Sequence, residues 1–401
     1  MDTSPKSDAP GAPGLVHPGA RLPEIDWLRV GAVFLVFLVH SAQIFSPIED
    51  WHINSPDTSR ALKQLTVFMG PWIMPLFMLL AGSSVWFARR RRSDLEYMKV
   101  RVLRLLVPLV AGTLLVIPPQ LYYRRLFRGE FEGSYLAFYP RFFDGFYPEG
   151  NLSWGHLWFI AYLFVYMLVG LVVFRALDRD QGRRFLSWAS RQVSRRGGVL
   201  LPAIPLVVGQ VILRVPYTQT TGALVGDWAT HAWLFLCFLY GYMVMADGRL
   251  MDALDRQWKG ILPLGVALSV GLAIWAWPGE VYQRLPGELS WWHVTFWTGF
   301  TLCSWTWLAI ILGAARIHLL EEGPVLRWSV PLVYPFYIFH QTVIVGVGYY
   351  LVGLPLGVHT RFFLIAAVSF AGTLLVLEGV RRIPLVRDLF GLQPRLRKMG
   401  I

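Results

Sequence analysis

From about residue 21 onward the chain alternates long apolar runs with short polar breaks. A helix that crosses a bilayer needs about 20 mostly apolar residues. Ten runs approach that length, at 26–46, 65–87, 102–121, 156–175, 199–214, 228–246, 260–277, 291–313, 329–352 and 361–380. The fifth is short and holds Pro202 and Pro205. The ninth holds Pro331 and Pro335, which predicts a kink or break near its start. Residues 1–20 are rich in Pro, Gly, Ser and Asp and too polar for the apolar stretch of a signal peptide, so they read as a disordered lead-in. No internal repeat is visible. The pattern predicts an all-α polytopic membrane protein: a lead-in over 1–20, a ten-helix domain over 21–385 and a basic tail over 386–401.

Composition supports this. The chain is 55% hydrophobic and 15% charged, whereas soluble domains carry about 25% charge. It excludes a disordered protein, a nucleic-acid-binding tail protein and an ordinary cytosolic enzyme. The 37 basic residues outnumber the 25 acidic ones, and their placement explains the excess. If both termini are cytoplasmic, 28 of the 37 fall in cytoplasmic segments of a ten-helix topology, as basic loops require. The densest clusters run from Arg89 to Arg104 and from Arg175 to Arg196. Cys237 and Cys303 both sit in apolar runs and form no disulfide framework or metal-type pair. No metal site and no permanently bound cofactor is expected.

Titratable groups inside apolar helices are costly and so are functional candidates. The first helix reads Glu24-Ile25-Asp26-Trp27-Leu28-Arg29, then an apolar run, then His40-Ser41. Arg29 and His40 are eleven positions apart, about 16 Å along the axis and close to three turns, so they share a face. Arg29 then lies near the cytoplasmic boundary and His40 toward the outer half. A snorkelling Arg29 and a packing His40 would also fit. Arg101 and Arg104 share a face at the expected start of the third helix, where two guanidinium groups and a helix N-terminus favour a phosphate. Positive-inside topology alone also accounts for them.

His156 opens the fourth helix and His340 lies in the ninth, in Tyr337-Ile338-Phe339-His340-Gln341. Each is a weaker candidate. Glu378, near the inner end of the tenth helix, precedes Arg381 and Arg382 at salt-bridge spacing. His52 and Asp57 match the His-x-x-x-x-Asp pattern of soluble-faced acyltransferases, but they fall in the first outer loop beside Asn54 and Pro56, and the match is set aside as chance. The outer loop at 122–155 is dense in aromatics and carries Arg124, Arg125, Arg128 and Arg141. It fits an interfacial belt or a carbohydrate platform equally well.

Arg29 to His40 in the first helix, with Arg101-x-x-Arg104 at the third, resembles the acyltransferase-3 family of integral-membrane acyltransferases. The Leu157-Trp158-Phe159 and Tyr337-Ile338-Phe339-His340 segments also look familial. Ile25-Asp26-Trp27-Leu28-Arg29 is most similar to the glucan-modifying, succinyltransferase-like branch. The resemblance spans about 21–385; the roughly twenty residues after the last expected helix are too short for the fused soluble esterase-like domain that some O-antigen acetyltransferases carry, so none is expected. It implies transfer of an acetyl or succinyl group from cytosolic acyl-CoA to a hydroxyl of an extracytoplasmic glycan or lipid-linked sugar, in a bacterial inner membrane.

A sugar hydroxyl needs a general base, and His40 is the expected one. Asp26 and Arg29 would support it, and Arg101 and Arg104 would hold CoA phosphates. His156, His340 and Glu378 complete the candidate substrate-binding residues. The oxyanion donors are unassigned, and an acyl-histidine intermediate is compatible with the same residues. The expected partners are acyl-CoA, the carbohydrate acceptor and membrane lipids, with no nucleic acid; the sequence sets no oligomeric state. The rival reading is a transporter for a small polar or anionic solute, lined by Arg29, His40 and Glu378. It would bind no acyl-CoA and would often bring inverted repeats.

Overall fold

A computed structural model describes residues 22–47, 51–146, 149–218, 220–276 and 288–392. The expected lead-in over 1–20 and the end of the expected tail lie outside them. Among the described residues nine helical segments are long and apolar enough to span a membrane. They are Pro23–Gln43, Arg60–Arg89, Asp94–Phe127, Gly155–Asp178, Trp228–Ala246, Gly248–Ala276, Trp291–His318, Pro324–Leu351 and Val358–Arg382. β pairing among the described residues is limited to one bridge, Phe146 with Leu152. The fold is all-α and polytopic.

Nine rather than ten is a correction at the fifth run. It folds as the shorter apolar helix Gly198–Leu213, made of a 3-10 turn Gly198–Leu200 and an α-helix Ala203–Leu213. Pro202 lacks the N–H that would continue a helix across that junction. Eleven residues rise about 16 Å, roughly half of an apolar bilayer core. The helix still occupies the expected place in the order, so the spans keep their ordinal numbers here, with Gly198–Leu213 as the fifth.

Proline also shapes the ninth span, as expected. A short helix Pro324–Ser329 passes through a 3-10 turn Val330–Leu332, which holds Pro331, into Val333–Leu351. After the tenth span, a short helix Pro384–Leu389 brings Phe390 against Phe339, with ring centroids 4.7 Å apart.

The third span starts earlier than expected. Ser93 caps it with its side chain while Glu96 reaches back to the Ser93 N–H, so the helix begins at Asp94. Arg101 and Arg104 therefore lie about two and three turns inside the helix and do not share a site with its N-terminus. Arg104 sits within a π-helical turn, Val102–Leu106, just before Pro108. The Pro108 ring crowds the carbonyl of Arg104 four residues back and offers it no N–H, which accounts for the widened turn.

Packing places the polar residues at two ends of the bundle. The first and third spans both pack on the ninth. The second and sixth cross very closely. A Cβ on Gly82 would lie 1.8 Å from the Phe238 carbonyl oxygen, and one on Gly241 would lie 1.9 Å from that of Leu79. Ser83 Oγ donates across this crossing to the Gly241 carbonyl at 3.2 Å. Small residues let two membrane helices approach where no hydrophobic force drives them together. One end of the bundle carries Arg29, the Arg89–Arg104 stretch and Arg175. There Arg89 pairs with Asp178 at 2.9 Å and Arg175 with Asp94 at 2.8 Å. The opposite end gathers the C-terminal parts of the first, third and ninth spans and the start of the fourth.

Candidate active site

His40 lies in the last turn of the first span, and its ring meets that of His340 from the ninth. His40 Nδ1 is 3.0 Å from His340 Nε2, and the ring planes differ by only 6° with centroids 5.1 Å apart. The rings are thus nearly coplanar and joined edge to edge, the geometry of an in-plane N–H···N bond. His340 Nδ1 is 2.7 Å from the Tyr337 carbonyl oxygen. A carbonyl only accepts, so His340 carries its proton on Nδ1 and presents Nε2 as an acceptor. His40 must then donate from Nδ1. A neutral imidazole has one proton, so the His40 Nε2 lone pair is left free, and no described residue occupies it. His340 is fully buried, while His40 remains partly exposed.

His156 meets the same cluster from the fourth span. Its Nε2 lies 3.2 and 3.0 Å from the carbonyls of Tyr337 and Ile338. Its Nδ1 faces Gln120 Nε2 at 3.4 Å. Both ring nitrogens are committed, so His156 braces the ninth span. Tyr337 Oη returns the contact by donating to the His156 carbonyl at 2.5 Å. Gly155 makes this entry possible. It has φ +47°, and a Cβ there would lie 3.1 Å from Ile117 Cδ1.

A polar chain continues from this group toward the outer loop. Thr342 Oγ1 donates to the Val116 carbonyl at 2.7 Å and receives Gln120 Nε2 at 2.7 Å. Gln120 Oε1 accepts from Gln341 Nε2 at 3.2 Å, and Gln341 Nε2 also faces His52 Nε2 at 3.1 Å. Trp51 lies between the two histidine groups, with ring centroids 6.2 Å from His40 and 5.2 Å from His52. Its carbonyl is held by Arg128 Nη2 at 3.1 Å. Burial first, and then the charge of Arg124, pushes His52 down to about 3 from its ordinary 6.5.

The structure thus brings together three of the expected residues, His40, His156 and His340. Five others, Asp26, Arg29, Arg101, Arg104 and Glu378, stand elsewhere. Arg29 Nη1 pairs with Asp26 Oδ1 at 2.8 Å, and Arg29 Nη2 reaches Ser84 Oγ in the second span. The His40 ring is oriented by His340, and Asp26 by Arg29. Arg101 lies over the Tyr97 ring at 4.8 Å, and its buried Nε has no hydrogen-bond partner. Arg104 follows in the π turn. Glu378 pairs with Arg381 at 2.7 Å and Arg382 at 3.0 Å, the local salt bridges its spacing predicted.

Sequence reasoning passed over Gln120, Gln341 and Trp51 and set His52 aside. Asp57 pairs with Arg361, not with His52, so the His-x-x-x-x-Asp match has no structural counterpart as a pair. His52 itself joins the cluster. Gln120 and Gln341 were detectable in principle, because an amide within an apolar span needs a partner as a charge does. Among the described residues no group of three or more His, Cys, Asp or Glu side chains is arranged to hold a metal ion.

The aromatic outer loop forms a small core of its own. Phe131, Phe138 and Phe142 are buried, and Arg141 covers Phe131 at 5.1 Å. Leu136, Phe143 and Phe146 remain exposed.

Comparison with known proteins places this geometry in context. A family model described as an acyltransferase domain, that of the acyltransferase-3 family, matches residues 22–378. Glucans biosynthesis protein C of Escherichia coli (strain K12) is 25% identical over 167 residues, which is 41% of this chain and 41% of that protein. The protein of the same name from E. coli O6:K15:H31 (strain 536 / UPEC) is 26% identical over the same length and shares. The matched stretch therefore spans well under half of these curated relatives. No solved structure matches.

Proposed function

The chain belongs to the acyltransferase-3 family, and on that premise we propose that it is a membrane O-acyltransferase moving an acetyl or succinyl group from acyl-CoA to a sugar hydroxyl. The observation that carries this is the free ring lone pair of the partly exposed His40, on Nε2. His340 holds the proton of His40 on Nδ1 and so keeps Nε2 a base at all times in the neutral state. A sugar hydroxyl within hydrogen-bonding reach of that lone pair can lose its proton as it attacks. Positive charge building on His40 is shared through His340 with the Tyr337 carbonyl, whose dipole favours it.

The donor enters from the opposite end. Arg101 and Arg104 hold the CoA phosphates, and Arg29 stands near the start of the first span, eleven residues before His40. The arginine-rich end faces the cytosol, and the histidine end meets an extracytoplasmic glycan or lipid-linked sugar at a bacterial inner membrane. The relatives' name speaks of glucan biosynthesis, which favours a glucan acceptor.

Transfer from radiolabelled acyl-CoA by the purified protein tests this. His40→Gln is expected to lower turnover roughly 10²–10⁴-fold, the usual value of a general base, and to leave acyl-CoA binding intact. Near-normal turnover in that variant would remove His40 as the base. Mass spectrometry of surface glycans from a deletion strain identifies the acyl group and acceptor.

A further inference from the structure

The short fifth span lies against the eighth and is tied to it near both ends. Trp305 Nε1 donates to the Val199 carbonyl at 2.6 Å, and His293 Nε2 donates to the Val211 carbonyl at 2.9 Å. On the outside of this pair Gly197, Leu201, Ile204, Val208, Thr298 and Leu302 line an open, almost wholly aliphatic groove of about 380 Å³. Leu201, Ile204 and Val208 are exposed. From Gly197 to Val208 the chain rises by a 3-10 turn and then two turns of α-helix, roughly 18 Å in all. Half of a bilayer's hydrocarbon core is about 15 Å, the depth that one lipid's acyl chain fills.

The groove begins at Gly197, directly after Arg195 and Arg196. Both arginines are exposed, and neither pairs with an acidic side chain among the described residues. The helix that leads to them, Asp180–Val193, has two opposed faces. Leu186, Ser190 and Val193 are buried, and Ser190 Oγ donates to Asp247 Oδ2 at 2.7 Å. Arg184, Trp188 and Arg191 each stand two residues before one of these, about 200° round the helix, and all three are exposed. Phe185 is exposed too, its ring centroid 5.9 Å from that of Trp188. Exposed aromatics flanked by arginines suit a helix lying in the headgroup layer of a membrane. At that depth Arg195 and Arg196 meet lipid phosphates, and the groove leads from them into the apolar core.

We propose that this groove binds one anionic phospholipid, with an acyl chain laid along the fifth and eighth spans and its phosphate held by Arg195 and Arg196. Charge decides which lipid. Two guanidinium groups complement a phosphate, and a zwitterionic lipid cancels its own phosphate with a cation, so a lipid of net negative charge is favoured. The aliphatic lining takes a chain without asking for polar partners. The site is separate from the histidine cluster and does not depend on what that cluster catalyses.

Native mass spectrometry of the full-length protein reads this, after exchange in detergent against an equimolar mixture of dioleoyl phosphatidylglycerol and dioleoyl phosphatidylcholine. One phosphatidylglycerol per chain is expected to be retained in clear preference to phosphatidylcholine. Arg195→Gln with Arg196→Gln should lower its retention roughly 10- to 30-fold, the worth of two arginines at a membrane surface. Arg256→Gln with Arg327→Gln removes two exposed arginines elsewhere and should leave retention unchanged. Ile204→Trp places a ring in the groove from an exposed position, so the fold is kept, and it should also lower retention. Equal retention of the two lipids by the wild-type protein overturns the proposal. So does equal loss in both double variants, which would reduce Arg195 and Arg196 to general surface charge. Retention unaffected by Ile204→Trp would put the lipid outside the groove. Displacement of the lipid by excess inorganic phosphate would leave an anion site with no part for the chain. A lipid-free dimer that Ile204→Trp dissociates would give the groove to a second copy. Each of these three overturns the proposal as well.

Discussion

At the scale of single residues, hydrogen-bond polarity assigns the histidines where residue identity alone does not. Four histidines share one cluster, and each proton is placed by contacts that end on a carbonyl or amide of fixed character: on Nε2 in His156 and on Nδ1 in the other three. In the proposed reaction His340 is a positioning residue: it touches His40, and its effect on substrate would be exerted through that ring. His340→Phe keeps a ring in place but removes the acceptor for His40 Nδ1–H. Turnover is expected to fall roughly 10²-fold or more, with the KM for acyl-CoA nearly unchanged. His340→Gln, whose amide oxygen can accept, should restore a measurable part of kcat. A merely structural His340 would show the same loss in both variants. His52 makes a separate prediction about stability. Its folded-state value of about 3 lies below its ordinary 6.5, so between those values the unfolded chain binds a proton that the folded chain refuses. Stability then rises with pH across that window and is lost on acidification. His52→Phe should lessen the drop in melting temperature between about pH 7 and pH 5 in detergent; an unchanged drop would show that the ring is protonated in the folded protein.

At the scale of elements, apolar periodicity was enough to place every span, because twenty apolar residues in sequence have few other fates. What it missed are departures from regular helix, and each has a local cause. Pro202 and the 3-10 turn before it cut the fifth run below spanning length. Ser93 and Glu96 started the third span early, a capping box that was visible in the sequence but lay outside the apolar run. Pro108 opened the π turn around Arg104. If that turn aims Arg104 at the donor, Pro108→Ala should relax it toward α-helix and raise the KM for acyl-CoA. Arg104→Ala should raise KM about ten- to hundredfold, the worth of a charge-assisted bond. A Pro108→Ala enzyme with wild-type KM would mean that the π turn does not aim Arg104. The crossing at Gly82 and Gly241 is less forgiving. Gly241→Val would drive a side chain into the Leu79 backbone, and the protein is expected to lose thermal stability by more than any single hydrogen-bond deletion in the cluster. Melting in detergent compares them.

At the scale of the whole molecule, the sequence revealed His40, His156 and His340 but not their joining. His40, His156 and His340 come from the first, fourth and ninth spans, and they meet through packing of the first span on the ninth and the contacts of His156 with Tyr337 and Ile338. The same packing separates the arginine end from the histidine end, and the proposed transfer needs the two on opposite sides of the membrane. Charge placement predicts the direction, since 28 of 37 basic residues fall on the cytoplasmic side if both termini are inside. Cysteine labelling of intact cells can test it cleanly, because both native cysteines are buried. Leu136 in the aromatic loop is 82% exposed and Leu95 within the Arg89–Arg104 stretch is 64% exposed, so a thiol at either is reachable by a reagent on its own side. Leu136→Cys should react with a membrane-impermeant maleimide in intact cells. Leu95→Cys should react only after the membrane is opened. The reverse pattern would put the arginines outside and the free lone pair of His40 within, and would remove cytosolic acyl-CoA as a donor entering at Arg101 and Arg104. Labelling of both in intact cells would place the two ends on one side and end the idea of transfer across the membrane.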